Sequence, residues 1–250
     1  MKPTVSIITP CYNSEKFISE TIVSIQKQTL KDWELIITDD CSTDFTVDIV
    51  KSFISTDNRI KLYCLDTNMG PGAARNNSIN KSKGRYIAFC DSDDQWKPLK
   101  LEMQVEFMKT HKLAFTYSPY EIINEDGKLI GQVAPPLNLR FKDLLRNNYV
   151  GCLTAIYDSK IIGKHLMSKL RKRQDWVLWL KIFKKIKQTR GINENLAIYR
   201  ERSNSISSNK IQMIKYNWIV YNKELNFSKL KSFYLIVNFI FFYVKKKIRE

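Results

Sequence analysis

The chain has 250 residues, 44% hydrophobic and 26% charged, enough to bury a substantial core without metal or disulfide staples and too apolar for wholesale disorder. Its net charge of +16 is unevenly placed: residues 1–168 hold 21 basic and 20 acidic side chains, residues 169–250 hold 20 and 5. The last third therefore attracts a polyanion, whether nucleic acid, anionic lipid head groups or a diphosphate.

The first half alternates strand and helix patterns. Thr4–Thr9 is a β-branched run ended by Pro10, with no apolar stretch of signal-peptide length before it. Glu15–Gln28 carries a helical stripe, Trp33–Thr38 is a second strand ending at Asp39-Asp40, and Asp44–Ser55 is again helical. Ile60–Leu65 is a third strand, Gly70–Lys83 a glycine-led helix, and Tyr86–Cys90 a fourth strand ending at Asp91. This alternation predicts βαβ units and a mainly parallel sheet, which binds ligands beyond the carboxyl ends of its strands.

The pattern changes at Pro98, which opens a helix to about His111. Ala114–Ser118 and Glu121–Asn124 read as strands, and a Glu125-Asp126-Gly127 turn leads into Leu129–Val133, a hairpin. Leu153–Tyr157 is one further strand. Two helices follow, Trp176–Lys187 and roughly Ser208–Leu225, joined by an irregular link. The expected division is a catalytic domain over 1–207, changing pattern at 97/98, with a basic helical tail over 208–250. Cys11, Cys41, Cys64, Cys90 and Cys152 are widely spaced and odd in number, which fits a reducing compartment.

Five segments carry chemistry. Asp91-Ser92-Asp93-Asp94 puts three carboxylates in four residues, an arrangement a hard divalent cation would relieve, although a solvated turn and helix cap is the plain alternative. In Pro10-Cys11-Tyr12-Asn13, followed by Glu15, Tyr12 offers a stacking face and Asn13 and Glu15 offer hydrogen bonds for a nucleoside. Asn13 or Ser14 also suits a helix cap. Asp40 lies in Asp39-Asp40-Cys41-Ser42-Thr43-Asp44, where a carboxylate can accept from a pyrimidine N–H. Arg75 sits one turn into the helix opened by Gly70-Pro71-Gly72, a segment that matches neither the P-loop nor the dinucleotide fingerprint. Asp175 opens a helix whose Trp176, Trp179, Leu180 and Phe183 form a core stripe, so by itself it reads as an N-cap.

In this order and spacing, VSIITPCYN, IITDDCSTD, GPGAARN, CDSDDQW and RQDWVLW resemble the inverting family-2 nucleotide-sugar glycosyltransferases, from Val5 to about Ser207. The resemblance implies a GT-A fold: a Rossmann-like nucleotide-sugar-binding half (1–97) with a mainly parallel sheet, an acceptor half (98–207) and C-terminal basic helices. It implies Pro10, Tyr12, Asn13, Glu15, Asp40, Arg75, Asp91, Ser92 and Asp93 as the nucleotide-sugar site, with Tyr12 and Asp40 on the uracil side. It further implies Mn2+ or Mg2+ held mainly by Asp93 with Asp91, and Asp175 as catalytic base. Two departures stand out. Gln174 precedes Asp175 where the family often has Glu, and Arg202 stands where it often has His, so a histidine's role cannot be transferred.

The chain also resembles bacterial transferases that add a hexose, glucose or galactose, in β linkage to an N-acetylhexosamine on undecaprenyl diphosphate during O-antigen or capsule assembly. The implied partners are a UDP-sugar donor and a lipid-diphosphate-linked acceptor, at the cytoplasmic face of the membrane. Phe233–Val244 carries one strongly polar residue, Asn238, and is too short to cross a hydrocarbon core of ~30 Å. With Lys245, Lys246, Lys247 and Arg249 following, it predicts peripheral attachment to an anionic membrane, packing on the domain being the alternative. A basic nucleic-acid-binding module would leave the near-neutral first 168 residues unexplained, so no nucleic-acid partner is expected. An inactive GT-A-like scaffold is disfavoured by the presence of Asp91, Asp93 and Asp175.

Overall fold

The computed structural model describes residues 2–202 and 210–249, with side chains described except at 210–212 and 242–249. The expected boundary at residues 207/208 and the basic cluster Lys245, Lys246, Lys247 and Arg249 therefore lie outside the described residues or side chains. The first half runs β1 (Val5–Cys11), α1 (Ile18–Gln26), β2 (Trp33–Asp39), α2 (Thr46–Ile54), β3 (Ile60–Cys64), α3 (Pro71–Lys81) and β4 (Tyr86–Phe89). The second runs β5 (Gln95–Trp96), α4 (Lys100–Thr110), β6 (Phe115–Thr116), β7 (Tyr120–Ile123), β8 (Leu129–Val133), β9 (Asn138–Arg140), α5 (Phe141–Leu144), β10 (Ile156–Asp158) and α6 (Ser159–Ile162). After these come α7 (Gln174–Ile186), β11 (Gln188–Arg190), β12 (Ala197–Arg200), α8 (Lys210–Ile219) and α9 (Lys229–Arg249).

The main sheet has the order β3-β2-β1-β4-β10-β6. Its first four strands are parallel, and β10 runs antiparallel to both β4 and β6. All seven residues of β1 and of β2 are buried, as expected of parallel strands covered by helices on both faces. The winding changes direction between β1 and β4, so a crevice opens beyond their carboxyl ends. Val5↔Trp33 and Val5↔Tyr86 register sets the three strands level, which aligns the loops after Cys11, Asp39 and Phe89 along one rim.

A second sheet, β5-β12-β7-β8, stands beside that rim, and β11 pairs with β9 in a small ribbon. One core lies beneath α1, α2 and α4. The other gathers around α7, where Trp176, Val177, Leu178, Trp179, Leu180, Ile182 and Phe183 are all buried. The helix is thus enclosed on more than the four-residue stripe expected of it. Trp179 meets the edges of Phe89 at 5.6 Å and Phe115 at 5.2 Å, tying the two halves together. Fully burying side chains of this kind contributes about 1.5–3 kcal/mol each. Val220, Tyr221, Leu225, Leu235 and Ile236 from the C-terminal segment belong to the same core, and Tyr221 Oη donates to the Leu145 carbonyl at 2.6 Å.

Several expected boundaries shift for identifiable reasons. Pro10 does not end β1: it pairs with Thr38 inside the strand. The pairing of β1 with β4 stops at Ile8↔Phe89, so the N–H that proline lacks has no ladder partner to serve. The expected strand Leu153–Tyr157 shortens because Cys152–Thr154 forms a 3-10 turn. The link expected to be irregular contains β11 and β12, and the last predicted helix ends as a π turn at Val220–Glu224.

Candidate active site

The rim is assembled mainly by carboxylates that hold neighbouring loops. Asp40 is 2% exposed, and its two oxygens accept from the backbone N–H groups of Met69 and Gly70, each at 2.7 Å. It therefore fixes the entry to α3, where Gly70 adopts φ +86° and Pro71 takes the first helical position. Asn13, itself at φ +46°, donates its backbone N–H to Ser42 Oγ at 2.9 Å, and its Oδ1 accepts from Thr43 N at 2.9 Å. Glu15 Oε2 accepts from Phe45 N at 3.0 Å. The loops after β1 and β2 are thereby laced together, with Pro10 buried below and Tyr12 standing half out of the surface. Asn13 acts across loops rather than as a cap on α1.

The loop after β4 carries three carboxylates, Asp91, Asp93 and Asp94. Ser92 is buried, and its hydroxyl shares a 2.7 Å hydrogen bond with that of Ser14. Asp91 receives Arg75 Nη2 on both oxygens at 2.6 Å, while Asp93 Oδ2 pairs with Arg202 Nη1 at 3.2 Å. Asp94 is buried and accepts from Arg200 N at 3.1 Å. Burial, and then the charge of Asp91, push the Asp93 carboxyl above its ordinary range despite Arg202. Burial and the two neighbouring aspartates push Asp94 further up. Burial and mutual repulsion thus disfavour the charged forms of Asp93 and Asp94, even with Arg202 at hand. The loop's hard oxygens suit a divalent cation, although no group of three or more His, Cys, Asp or Glu side chains converges into a metal cage among the described residues.

Arg75 joins this loop to the other side of the crevice. Burial opposes its charge, but Asp91 more than compensates and holds the guanidinium firmly protonated. Its Nη1 also donates to Gln174 Oε1 at 3.3 Å. A Cβ on Gly72 would lie 2.5 Å from Gln174 Nε2, so glycine there lets α3 approach the start of α7. Gln174, a departure from the resembled pattern, is therefore the residue through which Arg75 reaches Asp175's helix.

Asp175 is not the N-cap. That position belongs to Arg173, in the left-handed region at φ +65°, and the Asp175 side chain is turned to a different partner. Its Oδ2 accepts from Asn148 Nδ2 at 2.8 Å. Asn148 Oδ1 is buried and has no hydrogen-bond partner among the described residues. Tyr120 and Tyr199 meet edge to face at 6.2 Å, and Tyr120 feels the charges of both Asp94 and Asp175, its phenol pushed up to about 12, chiefly by burial. The crevice thus has an acidic, arginine-braced wall and a wall holding Asp175, Asn148 and Tyr120.

Sequence reasoning did not find Gln174's contact, Asn148, Arg200 or the tyrosine pair. Arg200 is 2% exposed and reaches Asp93 O, Asn124 O, Glu125 O and Glu20 Oε2. Only its place in the late Tyr-Arg-x-x segment marked it.

A family model described as Glycosyl transferase family 2 matches residues 6–170. The putative teichuronic acid biosynthesis glycosyltransferase TuaG of Bacillus subtilis (strain 168) is 41% identical over 248 residues, covering 99% of this chain and 98% of that protein. The UDP-Glc:alpha-D-GlcNAc-diphosphoundecaprenol beta-1,3-glucosyltransferase WfgD of Escherichia coli is 38% identical over 244 residues, 97% and 94% of the two chains. The crystal structure of S. aureus TarS 1-349 in complex with UDP-GlcNAc superposes with a TM-score of 0.74 at 23% identity, over 96% of this chain and 72% of that one. The chain belongs to glycosyltransferase family 2 and is a glycosyltransferase with the GT-A fold.

Proposed function

We propose that this enzyme transfers a hexose, glucose or galactose, from a UDP-sugar to a saccharide carried on a lipid diphosphate, with inversion to a β linkage. The setting is bacterial surface polysaccharide assembly at the cytoplasmic face of a membrane. The carrying observation is the Arg75 bridge: one guanidinium touches Asp91 on the donor side and Gln174, next to Asp175, on the other. Two relatives whose names specify glucose transfer to GlcNAc-diphosphoundecaprenol, WfgD and WfaP of Escherichia coli, support this donor and acceptor class.

In this reading Tyr12 and Asp40 flank the uracil, while Pro10, Asn13, Glu15, Ser92 and Arg75 shape the nucleotide site. Asp40 retains lone pairs for a pyrimidine N–H beside its two backbone contacts. Asp93 and Asp91 would hold Mn2+ or Mg2+, which supplies charge stabilisation to the departing diphosphate. Asp175 takes the proton from the attacking hydroxyl, and Asn148 keeps its carboxylate turned toward that hydroxyl. Arg202, paired with Asp93, stands ready to meet a phosphate oxygen.

The test is purified full-length protein with Mn2+, offered UDP-glucose, UDP-galactose and UDP-N-acetylhexosamines beside a lipid-linked N-acetylglucosaminyl diphosphate. Transfer from a UDP-hexose, a β anomeric signal in the product, and loss of activity in EDTA restored by Mn2+ or Mg2+ are expected. Absence of both transfer and hydrolysis with every donor overturns the UDP-hexose assignment, and full activity in excess EDTA overturns the metal.

A further inference from the structure

α9 has two apolar faces, and the protein covers one. Ser232, Leu235 and Ile236 are buried against the domain. At about 100° per residue they occupy one arc of the helix, and Leu230, Phe233, Tyr234 and Val237 occupy an arc almost opposite. Those four are 81%, 60%, 65% and 49% exposed. The outward face of a surface helix is ordinarily polar; here it is aromatic and aliphatic, and exposed Lys229 and Lys231 border it on either side. Lys231 Nζ lies 3.7 Å over the Phe227 ring. Apolar centre, cationic borders and orientation along the protein's surface are the features of a helix lying in a lipid interface. No helix among the described residues is long and apolar enough to cross a membrane.

The inward face links this helix to the reaction. Phe239 and Trp176 lie 5.9 Å and 5.2 Å from the Arg173 guanidinium, and Arg173 caps the helix that carries Asp175. Arg173 ends the run Lys169-Leu170-Arg171-Lys172-Arg173, whose Lys169 and Arg171 are exposed. A basic loop suited to a diphosphate therefore lies against the same helix whose far face is apolar.

We propose that the outward face of α9 docks in the plane of an anionic phospholipid bilayer and, through the Arg173–Phe239 contact, presents the Asp175 side of the crevice to acceptors embedded in that bilayer. This rests on the lipid-diphosphate acceptor proposed above. The charge complementarity selects a bilayer over a second copy of the chain, because two such faces would bring Lys229 and Lys231 against their own kind.

The experiment is sedimentation of the full chain with phosphatidylglycerol–phosphatidylcholine vesicles, wild type against the triple variant Phe233→Ser, Tyr234→Ser, Val237→Ser. Partition should fall at least tenfold in the variant and should be weak on pure phosphatidylcholine for both proteins. Transfer to a vesicle-embedded acceptor should fall with it, whereas transfer to a short-tailed, water-soluble acceptor should match wild type. A Phe233→Trp protein should show a blue-shifted emission increment on adding anionic vesicles, a readout independent of the triple variant's folding. Equal sedimentation of the wild type and a folded triple variant, or no emission change, overturns the proposal. So does a concentration-dependent dimer that the triple variant abolishes, since a second copy would then cover the face. Sedimentation needs no donor, so failure of UDP-hexose transfer with vesicle binding intact would remove the acceptor reading and leave the docking surface standing.

Discussion

The two walls of the crevice are built on different principles. On the donor wall, Asp40 and Glu15 accept from neighbouring loops, Asp39 from Ser42 in its own loop and Asp91 from Arg75 on α3, so the carboxylates serve as struts. On the opposite wall Asp175 has one hydrogen-bond donor among the described residues, Asn148, and Asn148 Oδ1 has none. A wall whose carboxylates are already engaged is organised before its ligand arrives, whereas a wall with an unmet acceptor and a lightly held carboxylate leaves bonds for the substrate to complete. The contrast teaches where binding and where proton transfer should be separable.

The strongest attempt to break that separation is Asp175→Asn. Transfer should fall by about 10²–10⁴-fold, while calorimetric affinity for the UDP-sugar stays at the wild-type value; wild-type turnover would mean the proton leaves by another route. Asp93→Asn acts on the other wall. It should weaken Mn2+-dependent donor binding by at least about 10-fold, measured by titrating UDP with and without the metal, and an affinity indifferent to this change would remove Asp93 from the cation site.

Asn148→Ala sharpens the comparison, because it removes the one donor to Asp175 among the described residues. A hydrogen bond to a charged group is worth about 1.5–3 kcal/mol, so kcat should drop by roughly tenfold or more with donor KM unchanged. An effect on donor KM alone would place Asn148 on the wrong wall.

Lys100 provides a control in the core beneath the donor half. It is fully buried, its Nζ donating to Gln104 Oε1 at 2.6 Å and lying 4.0 Å over the Trp96 ring, and burial lowers its pKa to about 7. The unfolded chain then binds the extra proton between about pH 7 and about 10.4, so this group's contribution to stability grows as pH rises through that window. Denaturant titrations should show a slope from this group of at most about 1.4 kcal/mol per pH unit. Lys100→Met should abolish that slope and leave transfer unaltered.

The donor wall was legible in the sequence because it is local: each loop follows a strand whose apolar run announces it, and the acids stand at the strand's end. Asp91, Asp93 and Asp40 fall where the pattern places them, on the rim. The opposite wall was harder to read. β12 has four residues and β5 two, too short for a period to declare itself, and they pair across about a hundred positions of sequence. Asn148 lies in a loop with no pattern at all. Asp175 itself was readable only through its resemblance to a family segment, since beside a tryptophan-rich helix start an aspartate looks like a cap. In the structure the helix begins at Gln174, so Arg173 holds the cap position and Asp175 lies inside the first turn, bonded to Asn148.

Arg200 has a consequence for the order in which the molecule can be made. Its guanidinium joins the carbonyls of Asp93, Asn124 and Glu125 to Glu20, and its backbone N–H satisfies the buried Asp94. A ribosome emits the strands and loops of the donor half within the first hundred residues, yet the loop after β4 lacks this brace until the Tyr199-Arg200 segment has left the exit tunnel. A nascent chain halted near residue 170, where the family match ends, would hold Asp94 without its backbone donor and Asp93 without Arg202. The loop after β4 is thereby completed late in synthesis, although its own residues are encoded early.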